Sequence, residues 1–414
     1  MTLMRLDPGG RLVQLVVVPR VEAPPASRAP DWSALLTAAG FEPSAWQTSP
    51  PRLTPPVYAD SRAAWEGTWP GRSDVPVRLE AAAVDGRPVF FEALFPWTPP
   101  PRTDPGLLTS GERAALIPVF VVAIALLVTA AVMASRNLRA GRGDRRGAWR
   151  LSAFVFIALV LSWFFGERHV ATVGEVTLVV MALAWAFLVA GACWLGYIAA
   201  EPFLRRRWPR MLVSWMRVLA GDVRDPLVGR DLLVGCIGGT VMALMSLGGP
   251  LLPVVFGRPP DLVPADVLGV VYDFRTAVPL LIWRAPQAVI AALSLAFGLL
   301  LFRLVLPSQR SAMGGFVVVS SIVLALPAES VWIAMVAAFL FGILYVSMLR
   351  IGLLAAVTTL YTSGLFLMFP ITADLDAWYA GAGVGAALVF SLLALFGFVT
   401  SLGGRSAFGR TEGV

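Results

Sequence analysis

Glu201–Asp231, EPFLRRRWPRMLVSWMRVLAGDVRDPLVGRD, is an arginine-rich island between two long apolar runs. Within it Trp208, Met211, Leu212, Trp215, Met216 and Leu219 recur at i, i+3, i+4, i+7, i+8 and i+11. Arg206, Arg207, Arg210, Ser214 and Arg217 fill other positions. This spacing predicts a helix with one apolar, tryptophan-bearing face and one cationic face. Its expected setting is a membrane surface, with the arginines toward anionic lipid headgroups. Arg205, Arg206, Arg207, Trp208, Arg210, Trp215 and Arg217 form the candidate lipid or partner interface. Asp225-Pro226 reads as the N-cap and first-turn proline of the next helix. Glu201, Asp222, Asp225 and Asp231 are expected to form exposed pairs with neighbouring arginines, worth about 0–1 kcal/mol each.

The flanking sequence sets the class. The 414 residues are 57% hydrophobic and 14% charged, with a mean hydropathy of +0.75. These values fit a multi-pass membrane protein and not a soluble one. The net charge of +7 lies in short loops beside apolar segments, so it marks topology and not a nucleic-acid surface. All 33 basic residues are arginine. Without lysine there is no P-loop lysine, no ATP-anchoring kinase lysine and no Schiff base. His169 is the only histidine, which excludes histidine-cluster metal sites and HExxH proteases. Cys193 and Cys236 both fall in apolar runs and form no CxxC motif. No catalytic, cofactor-binding or metal-binding residue is assigned.

Residues 1–97 read as a small α+β domain. Leu3–Leu6 and Leu12–Val18 flank Asp7-Pro8-Gly9-Gly10, and Val75–Ala83 and Pro88–Phe95 flank Asp85-Gly86; each is a hairpin signal. Asp31 caps an expected short helix bearing Trp32, Leu35, Leu36 and Ala39 and closed by Gly40. Asp60 is expected to cap a second helix through Trp65. The hairpin–helix–hairpin order is loosely similar to PepSY-type domains. Residues 98–113 form a proline-rich linker.

Residues 114–404 are expected to form a polytopic helical bundle of about nine transmembrane helices, followed by a tail at 405–414. The apolar segments lie near 115–134, 150–165, 174–199, 232–256, 285–306, 313–327, 331–349, 351–370 and 380–402. Those near 150 and 313 are short beside a spanning helix of about 20 residues. Pro279, Arg284 and Pro286 are expected to interrupt the start of the fifth, leaving Val263–Trp283 as a re-entrant or interfacial stretch. With residues 1–97 outside, the inner loops and tail hold 18 arginines and the outer loops four. The outer loops carry eight acids instead. The positive-inside rule favours this orientation, with the C-terminus and the 201–231 segment cytoplasmic. Export of residues 1–97 then requires an anchor before Met1 or a first helix acting as a reverse anchor.

Other polar positions have modest readings. His169, with Glu167, Arg168 and Glu175, reads as a solvated outer turn, and a proton-sensing or catalytic role is the alternative. Arg284, beside Trp283, reads as an interfacial residue reaching toward headgroups, and a functional intramembrane charge is the alternative. Gly235 with Gly239, and Gly381 with Gly385, make small-residue faces for close helix packing. Thr358, Thr359, Tyr361, Thr362 and Ser363 make one helix more polar, with backbone or cross-helix bonds preferred over a conduit.

The run EPFLRRRWP, SWMRVLAG and RDPLVGRDLLVG resembles the carboxy-terminal membrane region of some bacterial serine/threonine protein kinases. MRLDPGGRLVQLVVVP, DWSALLTAAGFEP, YADSRAAWEG and VRLEAAAVDGRPVFFEALFPW are similar to the extracytoplasmic segment that precedes it. No glycine-rich loop, VAIK-like lysine, HRD or DFG motif is present. The resemblance implies the non-catalytic half of a receptor-like architecture in the bacterial cytoplasmic membrane, as a separate protein or as part of a longer kinase. It implies a cytoplasmic kinase domain or other signalling protein as partner. The expected function is a non-enzymatic membrane sensor or signalling module. A transporter is the first alternative, and an intramembrane lipid-modifying enzyme using His169 or a carboxylate is the second.

Overall fold

The computed structural model describes residues 2–7, 9–18, 29–98, 110–167, 169–248, 277–325, 331–377 and 380–403. The chain divides into two compact units, Met1–Ala114 and Ala115–Val414.

The first unit is built on β1 (Thr2–Leu6), β2 (Leu12–Val17), α1 (Trp32–Ala38), β3 (Gln47–Ser49), β4 (Ser61–Trp69), β5 (Arg72–Val84) and β6 (Arg87–Leu94). The strands form one antiparallel sheet in the order β1-β2-β6-β5-β4-β3. Both expected hairpins are present. Asp85 (φ 51°) and Gly86 (φ 69°) sit at the β5–β6 turn with the positive φ that a two-residue hairpin loop demands. Asp31 Oδ1 accepts from Ala34 N at 2.9 Å, capping α1 as its position implies. Pairing of β2 with β6 joins the two hairpins. Alternation along the strands then divides the apolar side chains between two faces. Leu79, Ala81, Phe91 and Ala93 pack beneath α1, Phe41 and Trp46. Ala82 and Phe90 pack under Leu53 on the other face.

The helix expected after Asp60 is not formed. Ser61–Trp69 is strand β4, paired with β5 from Ser61↔Ala83 to Thr68↔Pro76. Ala63 and Ala64 favour a helix locally. Cross-strand pairing outweighs that preference by burying Ala64 and Trp65. Asp60 instead accepts from Asp85 N at 2.7 Å, tying β4 to the hairpin turn. This bond, followed by that from Ser61, lowers the Asp60 pKa.

The second unit is helical: α2 (Ser110–Arg139), α3 (Arg145–Gly166), α4 (Val173–Arg207), α5 (Pro209–Ala220), α6 (Pro226–Gly248), α7 (Ala277–Val305), α8 (Gln309–Ala325), α9 (Val331–Arg350), α10 (Leu353–Met368) and α11 (Ala380–Ser401). Among the described residues, five helices are long and apolar enough to cross a membrane: α3, α4, α6, α7 and α11. Met335–Arg350 of α9 and Leu353–Met368 are shorter apolar helices.

Several expected boundaries move. The first apolar segment is longer than expected, because α2 extends from Ser110 to Arg139 and takes in the end of the expected linker. The rest of that linker, from residue 99, lies outside the described residues, as do 249–276 and the tail. The segment near 150 is a full 22-residue helix, because Asp144 caps it at Gly147 N (2.9 Å) and starts it early. The fifth helix is already formed at Ala277, so residues 277–283 belong to α7 and not to a re-entrant stretch. Pro279 lies in its first described turn, where a missing N–H is tolerated, and Pro286 is buried inside it.

The centre of this unit depends on close approach between α6 and α10. A side chain at Gly235 would meet Thr358, and one at Gly239 would overlap Thr362 Oγ1. Thr362 Oγ1 donates to Thr358 O at 2.8 Å and reaches Gly235 O at 3.2 Å. The polar stripe of α10 therefore bonds backbone and packs on glycine, as small-residue interfaces do. The second expected glycine pair is displaced: Gly385 faces open space, and Gly383 makes the close approach, to Pro370 O.

Candidate functional site

The arginine-rich island begins inside α4. Pro202 lacks an N–H and leaves the carbonyl of Ile198 without its helical donor. Asn137, buried on α2, supplies one: its Nδ2 donates to Ile198 O at 3.0 Å and to Ala199 O at 3.1 Å. The helix thus continues through the proline to Arg207. Asn137→Ala is expected to cost about 1–3 kcal/mol, because it strands buried carbonyls. In a Pro202→Ala background the cost is expected to fall, since the new amide serves Ile198 O. A double-mutant cycle in unfolding free energy measures this, and equal costs in both backgrounds would refute the coupling.

Trp208 leaves helical geometry, and Pro209 opens α5 at a position where its ring is favourable. Gly221 (φ 102°) closes α5, with Asp222 N donating to Arg217 O at 2.8 Å. Arg217 pairs with Asp225. Asp225 Oδ1 accepts from Leu227 N at 2.9 Å, so the expected cap of α6 is present. The Arg217 bond is the largest cause holding the Asp225 carboxyl below its usual pKa.

The apolar face of α5 does not lie in lipid. Met211, Leu212 and Trp215 are only 1%, 2% and 3% exposed, and they belong to the core that holds Tyr197, Leu204, Val228 and Leu353. This corrects the expectation that the apolar face meets lipid, and it removes Trp215 from the candidate interface. The helical period identifies a buried face but not the material that buries it. Ser214 is also buried, although its position falls on the cationic side, and it donates to Asp231 Oδ2 at 2.5 Å. Asp231 is 0% exposed and accepts from Arg230 Nε and Nη2 at 3.0 and 2.8 Å. Glu201 is 2% exposed, with Arg205 Nη1 3.5 Å from Oε1. The expectation of exposed pairs therefore fails for Glu201 and Asp231, which are buried carboxylates; Asp231 joins α6 to α5 through Ser214, and Glu201 pairs with Arg205 within α4.

Arg205, Arg206, Arg207 and Arg210 are exposed, while Trp208 and Arg217 are half-buried. Beside them lies a pocket of about 750 Å³, where the α2–α3 loop, the start of α3, the end of α4 and the end of α5 meet. Arg142, Arg146, Arg150, Arg205 and Arg206 line it, together with Asp144 and Glu201. In the sequence Arg142, Arg146 and Arg150 are topology signals only. Their clustering over residues 136–150 was visible, but not their convergence on the 201–231 island.

The remaining candidates lie elsewhere. His169 faces Glu175 Oε1 with Nδ1 (2.5 Å) and the Phe164 carbonyl with Nε2 (2.8 Å), and its ring packs edge-on to Trp163. It lies in the α3–α4 connection and is exposed, as a solvated turn requires, while these contacts orient its ring. Both acceptors favour the imidazolium, Glu175 most, and raise its pKa. Arg284 crosses to α10, lying over Gly364, with Nη2 3.4 Å from Leu360 O and Nη1 bonded to Gln287. Its guanidinium turns into the bundle, which corrects the expected reach toward headgroups. Packing against a glycine creates the space for it.

Comparison of the chain with protein-family models, curated proteins and solved structures finds no match.

Proposed function

We propose that this protein is a non-catalytic, multi-pass signalling module of the bacterial cytoplasmic membrane. In this reading nine helices span the bilayer, and the sheet domain lies outside as the sensing part. The α5 segment faces the cytoplasm as a docking surface for an acidic partner, with the kinase domain implied by the sequence resemblance as the first choice. One observation carries the reading: Arg205, Arg206, Arg207 and Arg210 are exposed at a helix junction whose apolar side is locked into the bundle. A cationic surface held in this way loses little conformational freedom on binding and steers an acidic partner.

A photo-crosslinking residue at position 210, introduced into the full chain in cell membranes, tests the docking surface. The expected result is a protein adduct that disappears when Arg205, Arg206 and Arg207 are changed to Gln while membrane insertion is retained. Normal insertion with no protein adduct would exclude docking. A second reading, transport of an anionic substrate, is favoured by the entry of Arg284 into the helix bundle.

A further inference from the structure

We infer that the pocket between α3, α4 and α5 is a binding site for a phosphate ester that carries a neighbouring hydroxyl or ammonium group. The site shares Arg205 and Arg206 with the docking surface, while Arg142, Arg146 and Arg150 belong to the pocket alone.

The first consideration is charge. Five guanidinium groups line one pocket with only two carboxylates. Asp144 is committed to capping α3 through Gly147 N. Glu201 lies beneath Arg205. Arg150 donates to Leu219 O and Arg205 leans on Met216 Sδ, so both are held by the protein. The side chains of Arg142, Arg146 and Arg206 make no hydrogen bond or ion pair among the described residues. Like charges gathered without partners favour an anion that satisfies several at once. The planar guanidinium fork matches phosphate oxygens in a bidentate manner.

The second consideration is the buried carboxylate. Glu201 Oε1 is enclosed, has the Arg205 guanidinium as its ion-pair partner at 3.5 Å, and accepts no hydrogen bond among the described residues. A buried acceptor without a donor is costly, and a ligand hydroxyl or ammonium relieves it. Arginines on the rim and an unsatisfied carboxylate in the wall thus specify two parts of one ligand. A bare anion meets the first and not the second.

The third consideration is shape. About 750 Å³ lies within the roughly 300–1,000 Å³ typical of small-molecule sites. Pro202, Met216, Leu219 and Ala220 supply an apolar wall. The walls are fixed by the Asn137 bonds to α4, by the Asp144 cap and by the Arg150 link to α5. Phosphate esters of this description come from two sources, glycerophospholipid headgroups and free glycerol phosphates.

The test uses the detergent-purified full chain and its melting temperature, followed by tryptophan fluorescence. Phosphatidylglycerol doped into the micelles and free glycerol 3-phosphate are the two probes, and phosphatidylcholine is the control. A ligand that binds the folded state raises the melting temperature in proportion to the logarithm of its concentration. We expect a rise with at least one probe and none with phosphatidylcholine. A rise with the lipid alone assigns the headgroup source, and a rise with glycerol 3-phosphate assigns the soluble one. The variant R142Q/R146Q, which leaves the docking arginines intact, is expected to lose roughly tenfold in affinity per guanidinium removed. R142K/R146K, which retains charge but not the fork, is expected to fall between. Both positions are exposed, and gel filtration verifies the fold of each variant. No rise with either probe, or an undiminished response in R142Q/R146Q, overturns the assignment.

Discussion

Glu80→Ala is expected to destabilise the first unit by about 3–5 kcal/mol, the cost of breaking a buried ion pair. Glu80 is 2% exposed and accepts from Arg78 Nε at 2.7 Å and from Arg52 N at 3.0 Å. Removing it takes one partner from a half-buried guanidinium and the acceptor from a backbone amide. Arg78 also pairs with Glu66 and donates to Ser49 Oγ at 2.6 Å. Those partners soften the loss and place it toward the lower end of the range. Even so, about 3 kcal/mol is a large share of a domain stability of about 5–15 kcal/mol. Hydrogen exchange of the β4, β5 and β6 amides in the full chain reads the opening free energy directly. The double change E80L/R78M is expected to recover most of the loss, because it removes both charges and keeps the volume apolar. A single variant with unchanged exchange rates would show that the pair carries no stability.

Gly239→Val is expected to cost about 3 kcal/mol or more in the second unit, at or beyond the upper end for overpacking. A Cβ at Gly239 would lie 2.7 Å from Thr359 O and 2.8 Å from Ser363 N, besides overlapping Thr362 Oγ1. Two of these are backbone atoms, so no side-chain rotation relieves the clash. The helices α6 and α10 must separate, which breaks the Thr362–Gly235 bond and opens the packing along their length. Gly191→Ala, where nothing lies within 4 Å, is the control and is expected to gain up to about 1 kcal/mol from helix propensity. The fraction folded in mixed micelles of increasing denaturing detergent measures both. Equal midpoints for Gly239→Val and the parent chain would show that α6 and α10 do not pack this closely.

The two results concern parts of the molecule that were legible in the sequence to different degrees. The glycine and threonine stripes were legible as a packing interface, because small residues four apart on apolar helices have few other uses. The Glu80–Arg78 pair was not, since each residue by itself reads as the polar side of a strand. Their burial follows from the segment after Trp46, which covers that face and brings Pro50 and Arg52 over the strands. Similarly, the α5 period was legible, but its lipid-facing setting was wrong. Trp215 and Met211 meet protein because α4 continues through Pro202 and returns the chain onto the bundle. The pocket arginines were legible only as charges. Arg142 and Arg146 are about sixty residues from Arg205 and Arg206, and only folding brings them together.

The sequence alone determined the apolar helices, both hairpins, the caps at Asp31 and Asp225 and the amphipathic period of α5. Each of these follows from local chemistry: runs of apolar residues, turn residues that accept positive φ, and side chains that reach backbone groups two or three positions away. The tertiary structure decided that Ser61–Trp69 is a strand, that Arg284 turns inward, that Glu201 and Asp231 are buried, and that five arginines share one pocket. Those outcomes depend on partners distant in the chain. Burial is decided by what packs against a residue, and a periodic pattern records only that a face is covered.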